Sequence, residues 1–158
     1  MSREIVVREF AEGDAAAFRR LNEEWITRYF KMEAKDEELF ADPRGKILER
    51  GGRIFFAMKE GEALGCCALL AMGAGEFEVA KMAVTASAQG LGVGRLLMES
   101  VVAAARALGA KRLYLVTHHL LTPAIRLYES VGFERVAEER VVASPYERAD
   151  VFLELWLA

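Results

Sequence analysis

The stretch from Lys81 to Met98, KMAVTASAQGLGVGRLLM, constrains the chain most. Its apolar opening, Met82-Ala83-Val84, gives way to small and polar residues and then to Gln89-Gly90-Leu91-Gly92-Val93-Gly94-Arg95. Beyond the loop the apolar positions fall at helical spacing, at Leu97, Val101, Ala105 and Leu108. The pattern predicts a strand, a tight glycine loop and a helix. Glycines at alternate positions let the backbone turn sharply and admit a ligand without a Cβ in the way. The first N–H groups of the following helix lack partners inside it, so the loop mouth favours an anion. Such a loop grips phosphate.

Two common phosphate loops do not fit. A P-loop ends in Gly-Lys-Ser/Thr, and no such lysine follows these glycines. A dinucleotide fingerprint started at Gly90 puts Arg95 where its third glycine belongs. The pattern that remains is Gln-x-x-Gly-x-Gly, from Gln89 through Gly92 to Gly94.

The rest of the chain reads as α/β. Glu4 to Phe10 alternates as a first strand. Asp14 is placed to cap a helix to about Lys31, with Phe18, Leu21, Trp25, Ile26 and Tyr29 at helical spacing. A second helical piece starts at Asp36 and is interrupted by Asp42-Pro43. Strands Arg53–Lys59, Ala63–Met72 and Phe77–Val84 form a meander, turning at Glu60-Gly61-Glu62 and Gly73-Ala74-Gly75. After the long helix, Gly109 suits a left-handed cap. Arg112–Thr117 is a strand, Thr122-Pro123 starts a helix with threonine as N-cap, and Gly132 stops it. Glu134–Val142 and Val151–Leu157 read as strands around a loop holding Ser144-Pro145-Tyr146.

With 158 residues, half of them apolar, and no linker, repeat or low-complexity tract, residues 1–158 are expected to form a single domain. A net charge of −3 offers no general attraction to nucleic acid or to an anionic membrane. No apolar run reaches membrane-spanning length, and Met1-Ser2-Arg3-Glu4 lacks the apolar core of a signal peptide, so the expectation is cytoplasmic. Cys66 and Cys67 are adjacent, which suits neither a disulfide framework nor spaced metal ligands; in a strand they point to opposite faces. His118 and His119 are the only histidines, and no metal is expected.

Ala124-Ile125-Arg126-Leu127-Tyr128-Glu129-Ser130-Val131-Gly132-Phe133 resembles the ending A-x-x-x-Y-x-x-x-G-F of the GNAT acetyltransferase superfamily, and Gln89–Gly94 resembles its acyl-coenzyme A pyrophosphate loop. The order of elements matches over nearly the whole chain, most strongly from Glu76 to Phe133. The resemblance implies a single-domain GNAT-type fold, with a mixed, mostly antiparallel sheet of about seven strands flanked by about four helices. It also implies acetyl transfer from acetyl-coenzyme A to a primary amine, on a small molecule or a protein, without metal. A non-catalytic acyl-coenzyme A sensor on the same fold is the alternative from another class. Nucleic acid and membrane partners are not expected, and a homodimer stays open.

Residue by residue, the resemblance lets backbone N–H groups from Gly90, Leu91, Gly92, Val93, Gly94 and Arg95 cradle the pyrophosphate after Gln89. The Arg95 guanidinium either adds a charge-assisted contact or is an ordinary solvated side chain. Met82, Ala83 and Val84 lie along the pantetheine arm, which can add like another strand. Glu78, eleven residues before Gln89, is the candidate base, with Glu76 in reserve. Both also read plainly as strand carboxylates. Tyr128 is the candidate acid for the departing thiolate, or else a packing tyrosine. His118 stands near the place of a usual asparagine and, like His119, is left outside the catalytic set. Tyr29, Tyr146 and Arg148 are candidate acceptor-binding residues, while Trp25 reads as core. The acidic N-terminal stretch with Glu78 suits a cationic amine. Neither cysteine has an evident base partner to make it a nucleophile.

Overall fold

In the computed structural model, which describes residues 4–157, the chain runs β1 (Val6–Glu9), α1 (Ala15–Tyr29), α2 (Ala34–Ala41), α3 (Pro43–Lys46), β2 (Arg53–Lys59), β3 (Glu62–Gly73), β4 (Glu76–Val84), α4 (Val93–Ala107), β5 (Arg112–Thr117), α5 (Thr122–Val131), β6 (Glu134–Arg135) and β7 (Val151–Trp156). The seven strands make one sheet in the order β1-β2-β3-β4-β5-β7-β6. Only β4 and β5 run parallel; the other neighbours are antiparallel. The expected α/β class and mixed sheet are what the chain adopts. The reading of Met1-Ser2-Arg3 as lacking a leader lies outside the described residues.

Alternation along β3 places consecutive residues on opposite faces. Cys66 joins a cluster with Phe18, Leu21, Ile54 and Phe56 beneath α1 and α2. Cys67 joins Leu97, Met98, Val101 and Leu113 beneath α4 and α5. Helix α4 contributes Val93, Leu97, Val101 and Ala105, the stripe expected from its spacing. The sheet is thus filled on both faces, which is why its central strands are almost continuously apolar.

Several boundaries differ from expectation. There are five α-helices among the described residues, because Asp42-Pro43 both ends one and starts another. The Asp42 carboxylate accepts from the Gly45 N–H at 3.0 Å, and Pro43 takes the first helical position. Helix α2 begins before Asp36, which occupies its third position and returns a bond to the Glu33 N–H. Leu121, not Thr122, precedes α5 as its cap residue. The Asp14 carboxylate binds Arg8 and the Ala11 N–H instead of capping α1. The strand expected over Glu134–Val142 shrinks to β6. After Val136 the chain leaves β7 in a 3-10 turn that aims Arg140 at both oxygens of Glu154 (2.8 and 2.7 Å). No described helix is long and apolar enough to cross a membrane.

Candidate active site

One irregularity in β4 creates the site. Cys66 pairs with Ala83 and Ala68 with Ala80, so Lys81 and Met82 together face Cys67. Lys81 absorbs the extra residue at φ +57°, a β-bulge that bends the strand. Parallel pairing with β5 therefore stops at Val79–Leu115. From Ala80 to Val84 the edge of β4 turned away from β3 has no strand partner, and a cleft opens between the two strands.

At one end of this cleft lies the glycine loop. Gly90 (φ +82°) and Gly92 (φ +79°) hold left-handed conformations, and a Cβ at either would meet nothing within 4 Å. Leu96 is the first residue of α4 whose N–H finds the Gly92 carbonyl (3.1 Å). The N–H groups of Val93, Gly94 and Arg95 are the helix's unpaired donors, and all three residues line the cleft. Gly94 has another purpose: its hydrogen faces Leu127, whose Cδ2 would lie 3.3 Å from a Cβ, so it lets α5 pack close. Gln89 donates to the Val84 carbonyl (3.1 Å) and closes the loop on β4. Arg95 donates to Ser130 on α5 (2.8 Å). Glu24 of α1 holds the loop's entry by accepting from the Thr85 hydroxyl (3.0 Å) and Ala86 N–H (2.9 Å); nothing in the sequence pattern marks that role.

The cleft has a volume of ≈ 550 Å³, and its walls include Tyr29, Met82, Ala83, Val84 and Tyr128. It meets an inner chamber of ≈ 100 Å³ at Trp25, Phe30, Met82, Leu121 and Tyr128. Tyr128 packs edge-on against Phe133 (6.3 Å), and burial raises its phenol above the ordinary range. Its hydroxyl forms no hydrogen bond among the described residues. Among the described residues no fully buried side-chain polar atom lacks a partner, so that hydroxyl reaches the cavity. Tyr29 is exposed and borders the cleft, not the chamber.

Glu78 also lines the chamber, with Val79, Lys81, Tyr146 and Arg148. Its carboxylate also has no hydrogen bond or ion pair among the described residues, and by the same reasoning opens to the cavity. Burial raises its pKa, with the charge of Lys81 pulling the other way. Glu76 differs: Arg112 binds it at 3.0 Å, making it a structural partner and not a free base.

Tyr146 and Arg148 belong to a cross-strap over the chamber. Asp36, fully buried, accepts from Lys81 Nζ (2.8 Å) and from both terminal nitrogens of Arg148 (2.9 and 2.7 Å). Lys81 also donates to the Tyr146 hydroxyl (2.7 Å), and the Tyr146 ring lies against both cations. Burial alone would raise the Asp36 carboxyl, but Arg148 and Lys81 outweigh it and bring it to about 2. Asp36 thus contributes stability that is full above its ordinary pKa of 3.8 and is lost as pH falls towards 2. Asp36→Ala strands Lys81 in the interior, leaves Arg148 with Glu33 alone, and is expected to cost about 3–5 kcal/mol in denaturant unfolding at neutral pH. A loss no larger than that of an exposed ion pair, about 1 kcal/mol or less, would show the strap to be solvated.

His118 lines the chamber and stacks edge-on against Phe30 (5.1 Å). The ligand atoms of His118, His119 and Asp150 come within 4.8 Å of one another. However, His118 Nδ1 accepts the Leu120 N–H (3.1 Å) and His119 Nδ1 pairs with Asp150, so the three groups are already engaged in hydrogen bonds of their own loop. Burial pushes the Cys66 thiol up to about 12 and raises Cys67 further. Both are held as thiols.

The profile of the Acetyltransferase (GNAT) family matches residues 16–133. An uncharacterised N-acetyltransferase of Schizosaccharomyces pombe is 32% identical over 126 residues, 77% of each chain. The mycothiol acetyltransferase of Thermomonospora curvata is 30% identical over 154 residues, and the match spans 89% of this chain but only 48% of that protein. A GNAT-family acetyltransferase from Staphylococcus aureus superposes with a TM-score of 0.89 at 16% identity, covering 98% of this chain and 100% of the other. An acetyltransferase from Salmonella typhimurium, solved with acetyl-coenzyme A, gives 0.77 at 19% identity, covering 98% and 95%. At these identities the structural matches speak for the fold alone.

Proposed function

Because this chain belongs to the acetyltransferase (GNAT) family, we propose that it moves an acetyl group from acetyl-coenzyme A directly to a primary amine, acting as one domain over residues 1–158. The observation that carries this reading is the junction of cavities: the cleft meets the chamber at Tyr128, and the chamber is also lined by Glu78, whose carboxylate has no hydrogen bond or ion pair among the described residues. Acetyl-coenzyme A supplies an activated acyl group on sulfur; the chain supplies everything else.

The unpaired N–H groups after Gly92 suit a pyrophosphate, and the open edge of β4 at Met82–Val84 suits an extended amide-bearing arm. An alkylamine holds its proton at neutral pH and must lose it before attacking. Glu78 is the group to take it, directly or through one water, and its raised pKa makes it the stronger base. Tyr128 keeps its proton, because burial lifts the phenol well above an alkyl thiol's ordinary value of about 8.5. It therefore acts by donating a hydrogen bond to the departing sulfur as charge grows there. The two cysteines, buried and protonated, support direct transfer over a covalent relay.

Tyr128→Phe tests this reading. It keeps the ring against Phe133 but removes the donor, and is expected to lower kcat about a hundredfold while acetyl-coenzyme A affinity, read by calorimetry, holds. Wild-type turnover in that variant returns Tyr128 to packing. Tight acetyl-coenzyme A binding without thiol release on any amine of a broad panel would make the protein a sensor instead of an enzyme.

A further inference from the structure

Glu78 is reached from a second side. An outer groove of ≈ 280 Å³ shares Glu78, Lys81 and Tyr146 with the chamber and runs out over β3 and β5. Its two walls differ in charge. One presents Lys35 of α2, Lys46 of α3 and Arg50 of the following 3-10 turn; the other is the uncharged segment from Val142 to Tyr146. Lys35 and Lys46 share a single carboxylate, Glu38, at 3.5 and 3.3 Å. The Arg50 side chain enters no hydrogen bond or ion pair among the described residues. Glu78 is the only carboxylate among the groove's lining residues.

The acids that suggested a cationic acceptor are already engaged. Glu23 and Glu37 bind Arg19, Glu33 binds Arg148, and Asp36 binds Lys81 and Arg148. The groove is therefore neutral around the strap and positive at its outer wall, with one free carboxylate at its inner end. Among the groove's lining residues a cation would meet no acid beyond Glu78, whereas an anion on the outer wall would meet Lys35 and Lys46, which share Glu38, and Arg50, which has no ion pair among the described residues.

Resting on the amine-transfer reading for its inner end, we infer that the acceptor is two-ended. Its amine sits at Glu78, and an oxyanion on its tail, a carboxylate or a phosphate, lies against Lys35, Lys46 and Arg50. The side chains of that wall select the tail; they do not touch the reacting atoms.

The test is a matched series of linear ω-amino carboxylates, ω-aminoalkyl phosphates, n-alkylamines and α,ω-diamines, run against wild type, Arg50→Gln and the double variant Lys46→Glu/Arg50→Glu. Because the Arg50 side chain has no partner among the described residues, its neutral variant is expected to leave folding untouched. Wild type is expected to favour anion-tailed amines over alkylamines about tenfold in kcat/KM, mainly through KM, less so at high salt. Arg50→Gln shrinks that ratio and the double variant abolishes it, with acetyl-coenzyme A KM and alkylamine turnover unchanged. The better of the carboxylate and phosphate arms names the oxyanion. Preference for diamines, or a ratio that the double variant leaves intact, overturns the inference. Calorimetric titration of the ω-amino carboxylates and ω-aminoalkyl phosphates in the presence of coenzyme A separates the two readings. Charge-dependent binding without turnover keeps the groove and discards the transferase; turnover without charge dependence does the reverse.

Discussion

Glu78→Gln is expected to lower kcat/KM for the amine about a thousandfold and to erase the acidic limb of the pH–rate profile. The carboxyl must be ionised to accept the ammonium proton, so wild-type activity rises with pH through its folded pKa. Burial raises that pKa, which places the limb above the ordinary carboxylate range. The same shift has a sign for stability. A carboxyl whose folded pKa exceeds its unfolded one binds its proton more tightly when folded, so ionising it weakens the fold as pH climbs through that window. Glutamine cannot ionise and escapes that penalty. The variant should therefore be almost inactive at neutral pH yet at least as resistant to denaturant as wild type. An unchanged acidic limb would move the base elsewhere, with His118 the first residue to substitute.

Gly92→Glu is expected to weaken acetyl-coenzyme A binding by at least about a hundredfold, since like charges brought together at a binding surface cost several kcal/mol. Gly92 sits at φ +79° with open space where a Cβ would stand. A side chain there clashes with nothing and pays only the left-handed backbone penalty, about 1–2 kcal/mol. Its carboxylate, however, enters the mouth where the first N–H groups of α4 await an anion. Gly92→Ala carries the strain alone and serves as the control; it should retain most of the affinity. A folded Gly92→Glu protein that binds acetyl-coenzyme A normally would place the pyrophosphate away from this loop. Gly94→Glu is a different experiment, because Leu127 stands 3.3 Å from its Cβ position and α5 would have to move.

Much of the architecture was legible because it is encoded locally. The meander strands, the glycine loop and the stripe on α4 each follow from turn residues and spacing within a dozen neighbours. So do the opposite faces of Cys66 and Cys67, and the ends of helices at Gly109 and Gly132. The two motifs that carry the family resemblance lie in this locally encoded part.

The site's chemistry was decided by pairing between distant segments. Glu76 and Glu78 share a strand face and differ in the sequence only by their spacing to Gln89, yet Arg112, thirty-six residues from Glu76, binds the first and not the second. Lys81 looked like an ordinary strand residue; a one-residue offset against β3 made it the bulge that opens the cleft. The acidic N-terminal stretch reads as solvated charge along the chain, yet Arg148, more than a hundred residues on, comes to rest on Asp36 within it. The strand expected after Glu134 depended on how far β7 would accept a partner; pairing stops at Arg135–Leu153, and the chain beyond it turns to set Arg140 on Glu154. Periodicity and turn chemistry report a residue's neighbours along the chain. Whether a charge is buried, paired or free depends on its neighbours in space, and only the folded chain supplies those.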